Sequence, residues 1–147
     1  MKRLLLILLI LLTTMSVDLY CQKVTYVVFN STSSEEGIIR KESINTDFKD
    51  EPNYLFMINS KKNDYWFAYG HRKDKDFNPE ILIRPLIFLN SISCIDWDSK
   101  KSNLSKTEVE ELIKDINDSD KIYFIDRRDF KGTSIKLIQV RSLHSIY

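Results

Sequence analysis

Short apolar runs bounded by polar turns recur along the chain, and one stretch carries apolar residues at the period of an α-helix. Val24–Phe29 is rich in β-branched and aromatic residues and apolar on both faces, which predicts a central strand. Gly37–Ser43 predicts a second strand, and residues 45–53 read as acidic and irregular, closing near Pro52. Tyr54–Ile58 and Tyr65–Tyr69 predict a hairpin across the polar residues 59–64. Ile81–Ile83 and Leu86–Leu89 flank Arg84-Pro85, and a proline without an amide marks an edge, a bulge or a break. Ser91–Trp97 reads as a further strand. Lys121–Asp126 and Ser134–Arg141 predict a second hairpin that turns near Lys131-Gly132.

The helical stretch begins with Ser105-Lys-Thr-Glu108, the spacing of a capping box, in which hydroxyl and carboxylate satisfy the orphan amides reciprocally. Leu104 and Val109 stand where a hydrophobic staple has them. Val109, Leu112, Ile113 and Ile116 form one apolar stripe, with Glu110 and Lys114 expected to face outward. The stripe needs a surface to cover. The fold class that follows is α+β: a mostly antiparallel sheet of about six strands with the helix, residues 106–117, packed on one face.

The first residues follow a different pattern. Lys2 and Arg3 precede the unbroken apolar run Leu4–Leu12, which softens through Thr13–Val17 and stops at Asp18. A membrane-spanning helix needs ~20 apolar residues, and this run is far shorter. A charged start, a short apolar middle and a more polar end resemble a Sec-type signal peptide. The expected organisation is a signal peptide over residues 1–21, removed on export, and a single α+β domain over residues 22–147. The mature chain then carries no transmembrane span and is periplasmic or secreted. The alternative is an envelope lipoprotein anchored through Cys21, against which stands the bulky Tyr20.

Composition narrows the function classes. The whole chain has 22 Lys+Arg and 21 Asp+Glu, and removing Lys2, Arg3 and Asp18 leaves the mature part neutral. Phosphate-backbone binding needs a net basic face, so nucleic acid is not an expected partner. Three glycines, three prolines and 43% hydrophobic residues describe a folded domain rather than a linker. Cys94 alone remains beyond the leader, so no internal disulfide is expected. The scarcity of Cys and His gives no zinc pattern. Cys94 lies in an apolar segment and reads as a small buried hydrophobe. No metal and no cofactor are expected.

Four groups of residues carry candidate chemistry. His71, beside Arg72, Asp74 and Asp76, has the elements of a general base with an orienting acid, although no nucleophile motif accompanies it. Oxygen side chains from Asp115 to Asp126 imitate a calcium loop, but Asp120 stands where that loop needs glycine. Asp96 with Asp98, and Asp126 with Asp129, are paired acids; strand ends and turns explain both pairs simply. Tyr65, Phe67 and Tyr69 alternate on one strand face. Exposed, they form a stacking platform rimmed by His71 and Arg72; buried, they are ordinary core. Tyr65, Phe67, Tyr69, His71 and Arg72 are therefore the candidate binding surface. The leading expectation is an exported, non-enzymatic binding domain for a protein or glycan partner. The alternative is a small exported hydrolase that uses His71 with nearby aspartates.

Overall fold

The computed structural model describes residues 21–32, 37–45, 51–60, 64–69 and 77–143, with backbone alone at 44, 45, 51 and 52. His71, Arg72 and His144 lie outside the described residues. The strands are β1 (Val24–Phe29), β2 (Ile38–Asn45), β3 (Glu51–Asn59), β4 (Asp64–Tyr69), β5 (Ile81–Pro85), β6 (Cys94–Asp96), β7 (Lys121–Asp126) and β8 (Ser134–Leu143). The helices are α1 (Trp97–Asn103) and α2 (Lys106–Asn117). The order across the sheet is β2-β3-β4-β8-β7-β1-β6, with β5 also on β8. Ile138 of β8 is in register with Phe124 on one side and Ile81 on the other. The long β8 thus carries β7 along one edge, and β4 and β5 end to end along the opposite edge.

The mixed, sheet-dominated fold agrees with the α+β reading in outline and corrects it in detail. There are eight strands among the described residues, not about six. The pairs β2-β3, β3-β4, β4-β8, β5-β8 and β7-β8 are antiparallel, but β1 runs parallel to both β6 and β7. A parallel return needs a crossover of a dozen or more residues, usually helical. Here α1 and α2 supply it, carrying the chain from β6 past β1 to β7.

Local chemistry explains the remaining differences. The stretch expected to be irregular is partly strand, because β2 extends to Asn45 and β3 starts at Glu51. Pro85 ends β5 on an edge, and the apolar residues after it leave the ladder as a 3-10 turn, Leu86–Ser91. The strand read over Ser91–Trp97 shrinks to Cys94–Asp96, because the Asp96 carboxylate accepts from the Ser99 amide at 3.3 Å and starts α1. Cys94 is exposed on the outer strand β6, contrary to its apolar sequence context. Lys131 bridges Ser134 across the β7–β8 turn, where Gly132 takes φ 57°, a conformation glycine adopts without steric cost.

β1 is apolar on both faces because both faces are covered. Val27 and Phe29 join Phe56, Phe67, Trp97, Ile113, Ile116, Ile122, Phe124, Ile138 and Val140 in the larger core, between the sheet and the helices. Val28 joins Tyr123, Ile125, Ile135 and Leu137 on the other face, where Phe88 and Leu89 of the 3-10 turn cover them. Phe124 is the hub of the larger core, with ring centroids 5.6 Å from Phe29, 5.0 Å from Phe56 and 5.0 Å from Phe67. The Ser105–Glu108 capping box is present with both of its hydrogen bonds. Glu110 corrects the outward assignment: it accepts from Tyr65 Oη at 2.7 Å and from Ser60 Oγ, fastening α2 to the β3–β4 hairpin.

Two substitutions separate core from cap. We expect Phe124→Ala to cost ~3–5 kcal/mol through lost burial and a cavity. Ser105→Ala is expected to cost only ~1 kcal/mol, the typical loss of an N-cap. Urea unfolding midpoints of the two variants test the ranking.

Candidate functional site

Strands β6, β1 and β7 point the same way, and their carboxyl ends gather the polar side chains of this fold. Ligands of open α/β sheets bind outside the carboxyl ends of parallel strands, where the chain departs in different directions. Here the chain leaves β1 for β2, leaves β6 for α1, and leaves β7 for the 3-10 turn Arg127–Asp129.

The inner layer of this site centres on Asp126, whose side chain is fully buried. Its position follows from the pleat: Ile122, Phe124 and Asp126 occupy alternate positions of β7, so Asp126 faces the larger core. Its carboxylate accepts from the Ser31 amide at 3.2 Å, the Arg128 amide at 3.0 Å, Arg40 Nη1 at 3.0 Å, and the Ser31 hydroxyl. Arg40 reaches it from β2 and also donates to Asp129 at 2.8 Å and pairs with Glu42. Lys136 of β8 lies 3.1 Å from Asp129 and donates to Tyr54 Oη at 3.3 Å. The Arg40 guanidinium and the Lys136 ammonium both lie over the Tyr54 ring, at 4.9 Å and 5.1 Å from its centroid. Burial pushes the Asp126 carboxyl up. The Ser31 and Arg128 donors and Arg40 together outweigh it and hold the group below its ordinary value. Burial likewise lowers the Lys136 ammonium, but Asp129 and Tyr54 raise it further.

The outer layer is a partly exposed rim. Arg127 forks between the two acids at the start of α1, with Nη2 2.6 Å from Asp96 and Nη1 3.2 Å from Asp98. Asn30, just past β1, donates to Asp98 through its amide at 2.9 Å and its side chain at 3.0 Å. Arg127 holds the Asp96 carboxyl below its ordinary value. The Asp96/Asp98 and Asp126/Asp129 pairs, which sequence could not relate, thus share one end of the sheet with β1 between their strands. A general acid needs a carboxyl held above its ordinary value. Asp96 and Asp126 both shift the other way. The arrangement is suited to fixing charge and geometry and to offering the remaining lone pairs of the rim to a ligand.

The aromatic stripe lies elsewhere. Phe67 is 0% exposed, and Tyr65 and Tyr69 pack against the larger core, so this face of β4 is interior rather than an open platform. Tyr65 is further engaged by Glu110. The calcium-like run is divided between two ends of the sheet: Asp120 accepts from the Lys23 amide at 2.7 Å beside the start of β1, whereas Asp126 closes β7. Among the described residues no group of three or more His, Cys, Asp or Glu is placed to hold a metal ion. No helix among them is long and apolar enough to cross a membrane. Arg40, Ser31 and Asn30 were missed by sequence reasoning. The phase of Arg40 with Ile38 on β2 was a signal for the first; nothing local marked the other two.

Asp126 has a depressed pKa in the folded chain. Its contribution is therefore present above the ordinary carboxylate value, about 4, and is lost as pH falls through the folded value. We expect Asp126→Asn to lose ~1–3 kcal/mol at neutral pH, because the Ser31 and Arg128 donors lose an ionised acceptor while Arg40 keeps Asp129 and Glu42. The variant should also show a shallower loss of stability on acidification than the wild type. Urea unfolding from neutral pH into the acid range measures both.

Searches against protein-family models, curated proteins and solved structures find no match to this chain.

Proposed function

We propose that the chain is an exported, non-enzymatic binding domain that meets its partner through the rim formed by Asn30, Asp96, Asp98 and Arg127. The leader over residues 1–21 supports export: its short apolar run has the layout of a removable signal. The observation that carries the binding reading is the Arg127 fork, held between two partly exposed carboxylates above a buried network. Side chains locked by their neighbours keep their geometry when a ligand arrives, so little ordering entropy opposes binding.

The rim offers carboxylate oxygens, a guanidinium and a carboxamide. These complement a partner rich in hydroxyl or amide groups, as a glycan or a polar protein surface is. Asp96, Asp98 and Asp126 are engaged with arginine or with amides, which favours recognition over proton transfer at this end of the sheet.

A glycan array probed with the exported chain, alongside affinity capture from the surrounding envelope or medium, tests the proposal. Asp98→Ala and Arg127→Ala are expected to weaken a captured interaction about tenfold or more, the cost of breaking one partly desolvated charged contact. Retention of full binding by both variants contradicts the assignment of the rim. Substrate turnover abolished by Asp96→Asn contradicts the non-enzymatic reading.

A further inference from the structure

The 3-10 turn Leu86–Ser91 is amphipathic in an unusual direction. Phe88 and Leu89 point into the smaller core. Leu86 and Ile87 point out, at 39% and 72% exposure, and Ile83 of the neighbouring β5 is 61% exposed. A turn that met only water would carry polar residues at these outward positions. Single exposed aliphatics need no explanation. Leu86 and Ile87 form an apolar tip on a segment whose other side is anchored in a core, and Ile83, in phase with Ile81 rather than Leu82, adds to it from the other face of the same sheet end.

The tip has a rigid base and a defined charge. The Leu86 amide donates to the Thr133 carbonyl at 2.6 Å, which fastens the turn to the exposed residues Lys131, Gly132 and Thr133. From Ile81 to Ile95 there is no acidic residue, and Arg84 is exposed among them. On the adjoining segment Arg128 and Lys131 are exposed, while Asp129 is taken up by Arg40 and Lys136. Aliphatic tips with a cationic surround are thus presented on one edge of the sheet.

We propose that this edge docks onto an anionic lipid surface, with Ile83, Leu86 and Ile87 entering the interfacial layer and Arg84 and Lys131 meeting the headgroup charge. Apolar insertion and attraction to anionic lipid act together in such contacts. A stable protein–protein interface buries ~800 Å² per partner, more than three aliphatic side chains on a turn supply. The lipid interface accepts a small insertion without matching its shape. β5 and β7 both run antiparallel to β8, so Pro85 and Asp126 lie at the same end of the sheet. Docking therefore brings the rim near the bilayer surface while Lys23, at the start of β1, faces away. The inference assumes the exported chain of the proposed function but not the rim's ligand.

The test is co-sedimentation of the chain from the soluble exported fraction, its start at Gln22 verified by intact mass, with vesicles. Phosphatidylcholine vesicles with and without phosphatidylglycerol are compared. Binding to the phosphatidylglycerol vesicles, weakened by added salt, is the expected result. Lys131→Gln should weaken it roughly fivefold, the effect of one cation at an anionic surface. Ile87→Ser should weaken it roughly tenfold, through lost apolar insertion. Both positions are exposed, so both variants should fold, and Lys114→Gln on the exposed side of α2 should change nothing. Asp98→Ala should leave vesicle binding intact, which separates failure of the rim from failure of the tip. No binding to phosphatidylglycerol vesicles, equal binding to neutral ones, or full binding by Ile87→Ser overturns the proposal. So does self-association in light scattering that Ile87→Ser abolishes.

Discussion

The buried carboxylate of Asp126 is the constraint around which this fold is arranged. An ionised acid removed from water is stable only if its lone pairs are met by donors and its charge by a cation. Donors converge on it from Ser31 beyond β1, from Arg40 of β2, and from Arg128 in the turn after β7. The turn after β7 is far in sequence from Ser31 and Arg40. Satisfying one charge fixes all three, and Arg40 extends the same restraint to Asp129 and, through Tyr54 and Lys136, to β3 and β8. The rim of Asn30, Asp96, Asp98 and Arg127 stands on this base. Its geometry is inherited from the buried residues beneath it.

The topology places that end of the sheet apart from the rest. Parallel pairing of β6, β1 and β7 requires the α1–α2 crossover, and the crossover supplies the cover for the larger core. Among the described residues no α-helix covers the opposite face. It is closed by the 3-10 turn after Pro85, a smaller cover that leaves part of its own apolar surface outward. One face is therefore sealed and the other ends in an apolar edge. The polar rim and the apolar tip share an end of the sheet because β5 and β7 run in the same direction on either side of β8.

Much of this was legible in the sequence where the signal is local. Ser105, Glu108 and the stripe from Val109 to Ile116 set both bounds of α2, since caps and helical periodicity are encoded within a few residues. The two hairpins follow from paired apolar runs. Parallel pairing of β1 was not legible, because it depends on where a distant crossover returns. The identity of the site was half legible: Asp126 continues the inward phase of Ile122 and Phe124, and Arg40 that of Ile38. A charged residue in phase with core residues on two separate strands is a pairing signal, yet each read alone as a strand-end charge. Glu110 misled for the opposite reason. Its helical position looked solvent-facing, and its partner Tyr65 lies on a strand far away in sequence. Tyr65, Phe67 and Tyr69 show the limit of alternation, which gives a shared face but not whether that face is inside.

Amide hydrogen exchange at Ser31 and Arg128 tests the central role of Asp126 most directly, because both amides donate to its carboxylate and neither lies within a strand. If the buried carboxylate locks these segments, both amides open only with global unfolding and exchange as slowly as those of Val28 and Phe124 in the core strands. Fast exchange, at the rate of the exposed turn around Gly132, would contradict it: the segments would then open locally, and the rim above them would not be held in place.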